Sequence, residues 1–373
     1  MRDLSLRMLS YRLPLRSLPL RFATRIGLTF LCAGLAACGD TTPEPTSLLT
    51  LESPRLGLSS GPFSITDLGT FGHSSSAKAI NSHGQILGTA DDAVDIPHVV
   101  VWHNGNVTDL GSVSSTFDPM DINDQGDIVG NSYATNHAVL WERGTVTDLG
   151  TLGGSWSQAY AMNNKGQITG ASARSDGRTR AFLWQDGVMT DLGTLGDDYS
   201  AGYAISEDGQ VAGQSITIVP LRSRPFLWKK GPKGKPGTMI DLGTLGSGEY
   251  ATANGVNNKG QVVGWSITTG VDGPQHAFFW DNGKMTDLGT LGRDPSRATA
   301  INDDGQVVGV SRTVIGFSVH FHGFIWAKGT SGLIDLGTGS DLSSWANDIN
   351  SRGQVVGIST SGGASHAVLW TTR

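Results

Sequence analysis

In this chain of 373 residues a basic side chain and an aspartate recur together. His98, His137, Arg180, Arg224, His276, His322 and His366 each stand four residues before a tryptophan. Asp67, Asp109, Asp148, Asp191, Asp241, Asp287 and Asp335 each precede Leu-Gly. An imidazole or guanidinium beside a carboxylate can pass protons, hold a metal or form a charge-assisted hydrogen bond. A catalytic group acts at one place, so a pair found in every copy of a repeat reads as a tie between strands. His320 and His322 share one strand face but have no acid or thiol nearby to complete a metal site. Asp121-Ile122-Asn123-Asp124-Gln125-Gly126-Asp127 has part of the oxygen spacing of a calcium loop. The same Asn-x-x-Gly recurs as a plain hairpin turn elsewhere, and no metal or cofactor is expected.

HExxH, P-loop and dinucleotide signatures are absent from the sequence. Glycan cleavage needs two carboxyls about 5 to 10 Å apart, and Asp92, Asp198, Glu249 and Asp294 are the acids that a repeat fold could bring together. Binding has better candidates. Phe117, Trp156, Tyr199, Tyr250 and Trp345 stand before the first strand of their repeats, and Arg174 and Arg312 follow the second strand. Aromatic rings beside arginine suit stacking on sugar or gripping peptide.

The elements that must position these residues are short strands. Glycine supplies 52 residues and charged residues only 16%, a composition of tight turns, and helical periodicity is missing. Ala-Ile-Asn-x-x-Gly-Gln-x-x-Gly recurs seven times, from Ala79, Asp121, Ala161, Ala204, Gly255, Ala300 and Asp348. A His-Ala-Phe-Leu-Trp-like segment follows each copy and an Asp-Leu-Gly segment precedes each, at a period of about 45 residues. Each unit reads as four antiparallel strands, which is the plan of a propeller blade. The chain enters this pattern at 63–69 with a fourth strand and leaves it at Trp370 after a third. The expectation is an all-β, seven-bladed β-propeller of four-stranded blades, closed by strand 63–69 pairing with the last blade, which removes two sheet edges. The Asn-x-x-Gly turns fall on one face and the variable loops, with the aromatics, on the other.

These units resemble the HAF repeat of extracellular bacterial proteins, seen here as His276-Ala277-Phe278 and extending over nearly all of 63–373. Arg180 and Arg224 replace the histidine, and Pro225 and Gly323 the alanine, in some units. The resemblance implies secretion and a repeat fold, and brings no catalytic residues.

The N-terminus carries an address. Ile26 to Ala37 is an apolar run after six arginines, too short for a spanning helix of about 20 residues. Leu35-Ala36-Ala37-Cys38 resembles the lipobox of bacterial lipoproteins, which implies acylation of Cys38. Gly39 in place of aspartate after the cysteine implies the outer membrane. Residues 1–37 are thus expected to be a signal peptide, 38–61 a lipidated cysteine with a Pro/Thr/Ser tether, and 62–373 the propeller. Losing the leader takes net charge from −6 to −11, which repels phosphate backbones and excludes nucleic acid as a partner. The expected function is an envelope-anchored, non-enzymatic binding or scaffold lipoprotein. Its partners are the membrane, through the anchor, and a glycan or envelope protein, through the variable face. The alternative is an extracytoplasmic glycan hydrolase or lyase.

Overall fold

The computed structural model describes residues 62–372, apart from 114, 115, 197, 198, 219, 220, 234, 340 and 362. The expected signal peptide, Cys38, the tether and Asp198 lie outside the described residues.

Strands Ser75–Ile80, Ile86–Asp91, Pro97–His103 and Asn106–Ser112 form one antiparallel sheet in chain order. Its turns explain its motifs. Asn81 Oδ1 accepts the backbone N–H groups of His83 and Gln85, and Gly84 takes φ 81°, where a side chain would be strained. Asn104 (φ 51°) and Gly105 (φ 76°) make the left-handed pair of a two-residue hairpin between the third and fourth strands. The four-strand plan repeats from Asp118–Ile122, Gly153–Met162, Tyr199–Ile205, Ala251–Val256, Arg293–Ile301 and Ser343–Ile349, with the units opened by Gly153–Met162 and Tyr199–Ile205 joined into one sheet by a parallel Thr179↔Tyr199 bridge. The last unit has its fourth strand from the other end of the chain: Phe63–Asp67 pairs antiparallel with Ala364–Thr372, from Phe63↔Thr372 to Asp67↔Val368.

The core is divided into layers, each between two sheets. Ala79, Leu87 and Val99 pack with Ile122, Ile128 and Val139. Val263, Ala277 and Phe279 pack with Ala298, Val307 and Phe324. Val356 and Ala367 of the last sheet pack with Ala77, Ile86, Val100 and Trp102 of the first. The repeated tryptophans belong to these layers; Trp370 is fully buried.

Every opening strand carries a register shift three residues before its motif asparagine or serine, at Lys78, Met120, Tyr160, Tyr203, Asn254, Thr299 and Asn347. Such a bulge bends the strand and re-aims one side chain. It also accounts for a fixed glycine in the second strand: a Cβ on Gly88 would lie 1.9 Å from the Ser76 carbonyl oxygen, and one on Gly170 equally close to that of Gln158.

The expected blade ties form where the basic residue is histidine. His98, His137, His276, His322 and His366 place Nδ1 2.8, 2.9, 2.7, 2.7 and 3.1 Å from Asp109, Asp148, Asp287, Asp335 and Asp67. The other carboxylate oxygen accepts the N–H of the glycine two residues on, as Asp67 does from Gly69. In the third repeat Asp191 instead binds Arg174 Nη1 at 2.8 Å.

Candidate functional site

The bulged residues converge. Lys78, Met120, Tyr160, Tyr203, Asn254, Thr299 and Asn347 all line one cavity of about 260 Å³, with Asp121 and Asp348 beside them. Toward the Asn-x-x-Gly turns it gives way to a second space of about 250 Å³, walled by the motif asparagines and the residues after them.

The channel wall is stitched from sheet to sheet in one rotational sense. Lys78 Nζ donates to the Pro119 carbonyl and lies 2.6 Å from Asp118. Asn254 Nδ2 donates to Ala298 O, Thr299 Oγ1 to Ala346 O, and Asn347 Nδ2 to Ala77 O. A second tier uses the motif asparagine: Asn81, Asn163, Asn257 and Asn302 donate to the carbonyls of Asn123, Ser206, Asn302 and Asn350, and Asn350 to that of Asn81. These buried amides therefore do more than shape a turn.

Where the motif opens with aspartate, the carboxylate takes the same path. Asp121 accepts the N–H groups of Met162 and Ile122, and Asp348 those of Ile80 and Ile349. Both side chains keep some contact with the channel, but the enclosing protein raises the Asp121 pKa to about 7 and that of Asp348 to about 6. Desolvation is the main cause, and at Asp121 the Asp348 charge adds to it. Asp124 meets the Ser82 N–H and Asp127 the Asn123 amide, so the acids of the calcium-like loop face separate partners. No cluster of metal-binding side chains occurs among the described residues.

Aromatic side chains gather in two places, of which the first lines the cavity. Tyr160 and Tyr203 have ring centroids 5.2 Å apart, and Tyr199 stands near both. Burial pushes the Tyr160 hydroxyl up to about 12, and burial with the neighbouring phenols raises that of Tyr203 further. Elsewhere Trp345 stacks on Phe321 at 5.9 Å and 27°, and the Arg312 guanidinium lies 5.2 Å from the Phe321 ring centre. Trp156, Tyr199 and Tyr250 occupy equivalent places at the entry of their strands and are partly exposed.

Two expected residues stand apart. Phe117 is 1% exposed in the layer with Leu87 and Ile128, at the register position that holds buried serines Ser157, Ser200, Ser296 and Ser344 in other sheets. It is a core residue, because its side chain points to the sheet interface and not to the channel. Arg174 is held by Asp191 and Asp176. Sequence reasoning missed Lys78, Tyr160, Tyr203, Asn254, Thr299, Asn347 and Phe321. The signal was a varying residue directly before an otherwise uniform Ala-Ile-Asn.

The acids named for cleavage serve local partners. Asp92 accepts the N–H groups of Ile96 and Val94, which hold its carboxyl below the ordinary range. Glu249 lies 3.6 Å from Arg222, and Asp294 lies 2.8 Å from His276 Nε2.

No protein-family profile matches the sequence, and no curated protein matches it. Solved structures do. An oligogalacturonate lyase in complex with manganese is similar at TM-score 0.55 and 12% identity, over 87% of this chain and 96% of that one. The β-propeller domain of the Trilobed protease from Pyrococcus furiosus, described as an open velcro topology, gives 0.53 and 12%, over 81% and 96%. A puromycin-hydrolyzing peptidase of Mycobacterium tuberculosis gives 0.52 and 12%, over 77% and 49%. At such identity the likeness carries the architecture and no activity: this chain has the fold of a β-propeller.

Proposed function

We propose that this chain is an HAF-repeat lipoprotein of the bacterial outer membrane, anchored through Cys38, whose propeller closes as seven blades and binds glycan without cleaving it. Closure is supported by the pairing of Phe63–Asp67 with Ala364–Thr372 and by the bonds from Asn347, Asp348 and Asn350 to the first sheet. The observation that carries the binding function is the ring of bulges, which sends one variable side chain from each sheet into a shared polar channel with the Tyr160 and Tyr203 rings in its wall; Trp345 stacked on Phe321 is a second aromatic pair outside that lining. Flat rings beside hydrogen-bonding amides and Arg312 suit the apolar faces and hydroxyl edges of a sugar chain.

Cleavage is disfavoured. Asp92 is pushed toward a lower pKa, opposite to a general acid, and Asp121 and Asp348 spend both oxygens on backbone N–H groups.

The test is a binding screen of the purified protein on immobilised bacterial and plant glycans. Saturable binding weakened at least tenfold by Tyr203→Ala or Trp345→Ala supports this reading. Binding to an envelope protein alone, with no glycan retained, would replace it with a protein-recognition function. Turnover of any retained glycan would replace it with the hydrolase or lyase alternative.

A further inference from the structure

A second cavity, of about 290 Å³, lies away from the channel where the first and last sheets meet, on the side of the Asn-x-x-Gly turns. Its volume is at the low end of ligand pockets, which run from ~300 to 1,000 Å³. The two sheets supply different parts of it.

Ile86 and Trp102 of the first sheet and Leu68 and Leu369 of the last form an apolar slot. Trp102 is 4% exposed, and its indole N–H is buried without a hydrogen-bond partner. An orphaned donor of this kind costs free energy unless something fills it. Arg352 closes one side. Its backbone N–H is bonded to Asn350, but its guanidinium has no partner among the described residues. It lies over Gly84, so close that a Cβ there would be 2.9 Å from Arg352 Nη2. Gln354 approaches Gly84 too, as glutamine side chains approach the matching glycines Gly126, Gly209, Gly260, Gly305 and Gly353, but at none of those does an arginine join it. His83 and His103 complete the rim. The one acid in the wall, Asp67, is occupied by the Gly69 N–H and His366.

An apolar slot with a buried N–H donor and an unpaired guanidinium at its mouth fits a small anion with a flat apolar body. We propose that this junction binds a small aromatic carboxylate, the ring lying against Trp102, Ile86 and Leu369 and the carboxylate taken by Arg352 as a forked, charge-assisted pair. The ligand would touch both ends of the folded chain and so stabilise their contact. This site is separate from the glycan channel, and neither proposal depends on the other.

The test uses phenylacetate and its uncharged counterpart phenylacetamide, titrated into the purified protein by calorimetry, with the melting temperature recorded alongside. Phenylacetate is expected to bind saturably, at least tenfold more tightly than phenylacetamide, and to raise the melting temperature. In Arg352→Gln that tenfold preference should vanish while the ligand-free melting temperature stays within a few degrees, since the guanidinium supports nothing else. Absence of phenylacetate binding, equal affinity for the two probes, or a preference that survives Arg352→Gln overturns the proposal. Glycan retention by Arg352→Gln should equal that of the wild type, which keeps the two sites distinguishable.

Discussion

Asp121 and Asp348 hold their ends of the opening strands against neighbouring strands, yet the protein around them favours the protonated form. The folded pKa of each lies above its ordinary value near 4, so folding takes up protons between about pH 4 and 7. Stability from these groups is therefore greatest at low pH and is lost as pH rises through that window. Urea melts should show that Asp121→Asn, which keeps one acceptor oxygen, flattens the pH dependence between 5 and 8 relative to the wild type. An unchanged slope would remove Asp121 as its source. His276, between Asp287 and Asp294, has a pKa raised by hydrogen bonds to both acids, against the opposing effect of desolvation. Its NMR titration should run above the usual histidine range, and Asp294→Asn should lower it. The aromatic residues show how far single-residue reading reaches. Trp156, Tyr199 and Tyr250 stand seven residues before the motif asparagine or serine, and Trp345 five, so all share one strand face. Phe117 stands six before and points the other way. Alternation alone decides this, once the position of the bulge is known.

At the scale of the strand, the repeat made most of the architecture readable. Four strands per unit, the hairpin glycines and the histidine–aspartate ties follow from residues recurring at one period. The bulge was not readable, because it leaves no residue type of its own: Lys78, Met120 and Thr299 have nothing in common except place. What betrays it is its effect on the partner strand, where glycine is imposed by a carbonyl pressed against it. Gly170→Ala should accordingly cost more than an ordinary Gly→Ala change in a strand, by about 2 kcal/mol or more from overpacking, read as a drop in melting temperature. Asn350 tests the second tier of the channel wall. Asn350→Ala leaves the buried Asn81 carbonyl without its donor and removes the turn acceptor, an expected loss of about 2 to 3 kcal/mol. The same change at exposed Asn104 should cost far less.

At the scale of the molecule, stability rests on thin layers between sheets, each of which needs a neighbour on both sides. A break at any junction leaves two half-covered sheets, so unfolding should be cooperative even though the sequence is a string of similar units. The junction of the first and last strands can be locked to examine this. Ser64 and Thr371 are opposite each other in register, with side-chain oxygens 2.8 Å apart. A disulfide from Ser64→Cys and Thr371→Cys would close a loop spanning a separation of 307 residues, with an entropic gain of at most about 5 kcal/mol. Oxidised protein should unfold at higher urea than the same protein reduced; equal midpoints would mean that this junction is not what gives way first.

The pairing of Phe63–Asp67 with Ala364–Thr372 also sets a clock. A chain made from its N-terminus exposes the first of these strands early, yet the strand that completes it is among the last to arrive. Until then one sheet lacks its outer member and another its neighbour, leaving open edges able to recruit other chains. Contacts so distant along the chain form slowly. The interval between first and last strand is therefore the period of greatest exposure to misassembly, and a circular permutation that moves the ends to the connection between Asn106–Ser112 and Asp118–Ile122, so that every sheet is made of consecutive strands, should speed refolding and leave the finished fold unchanged.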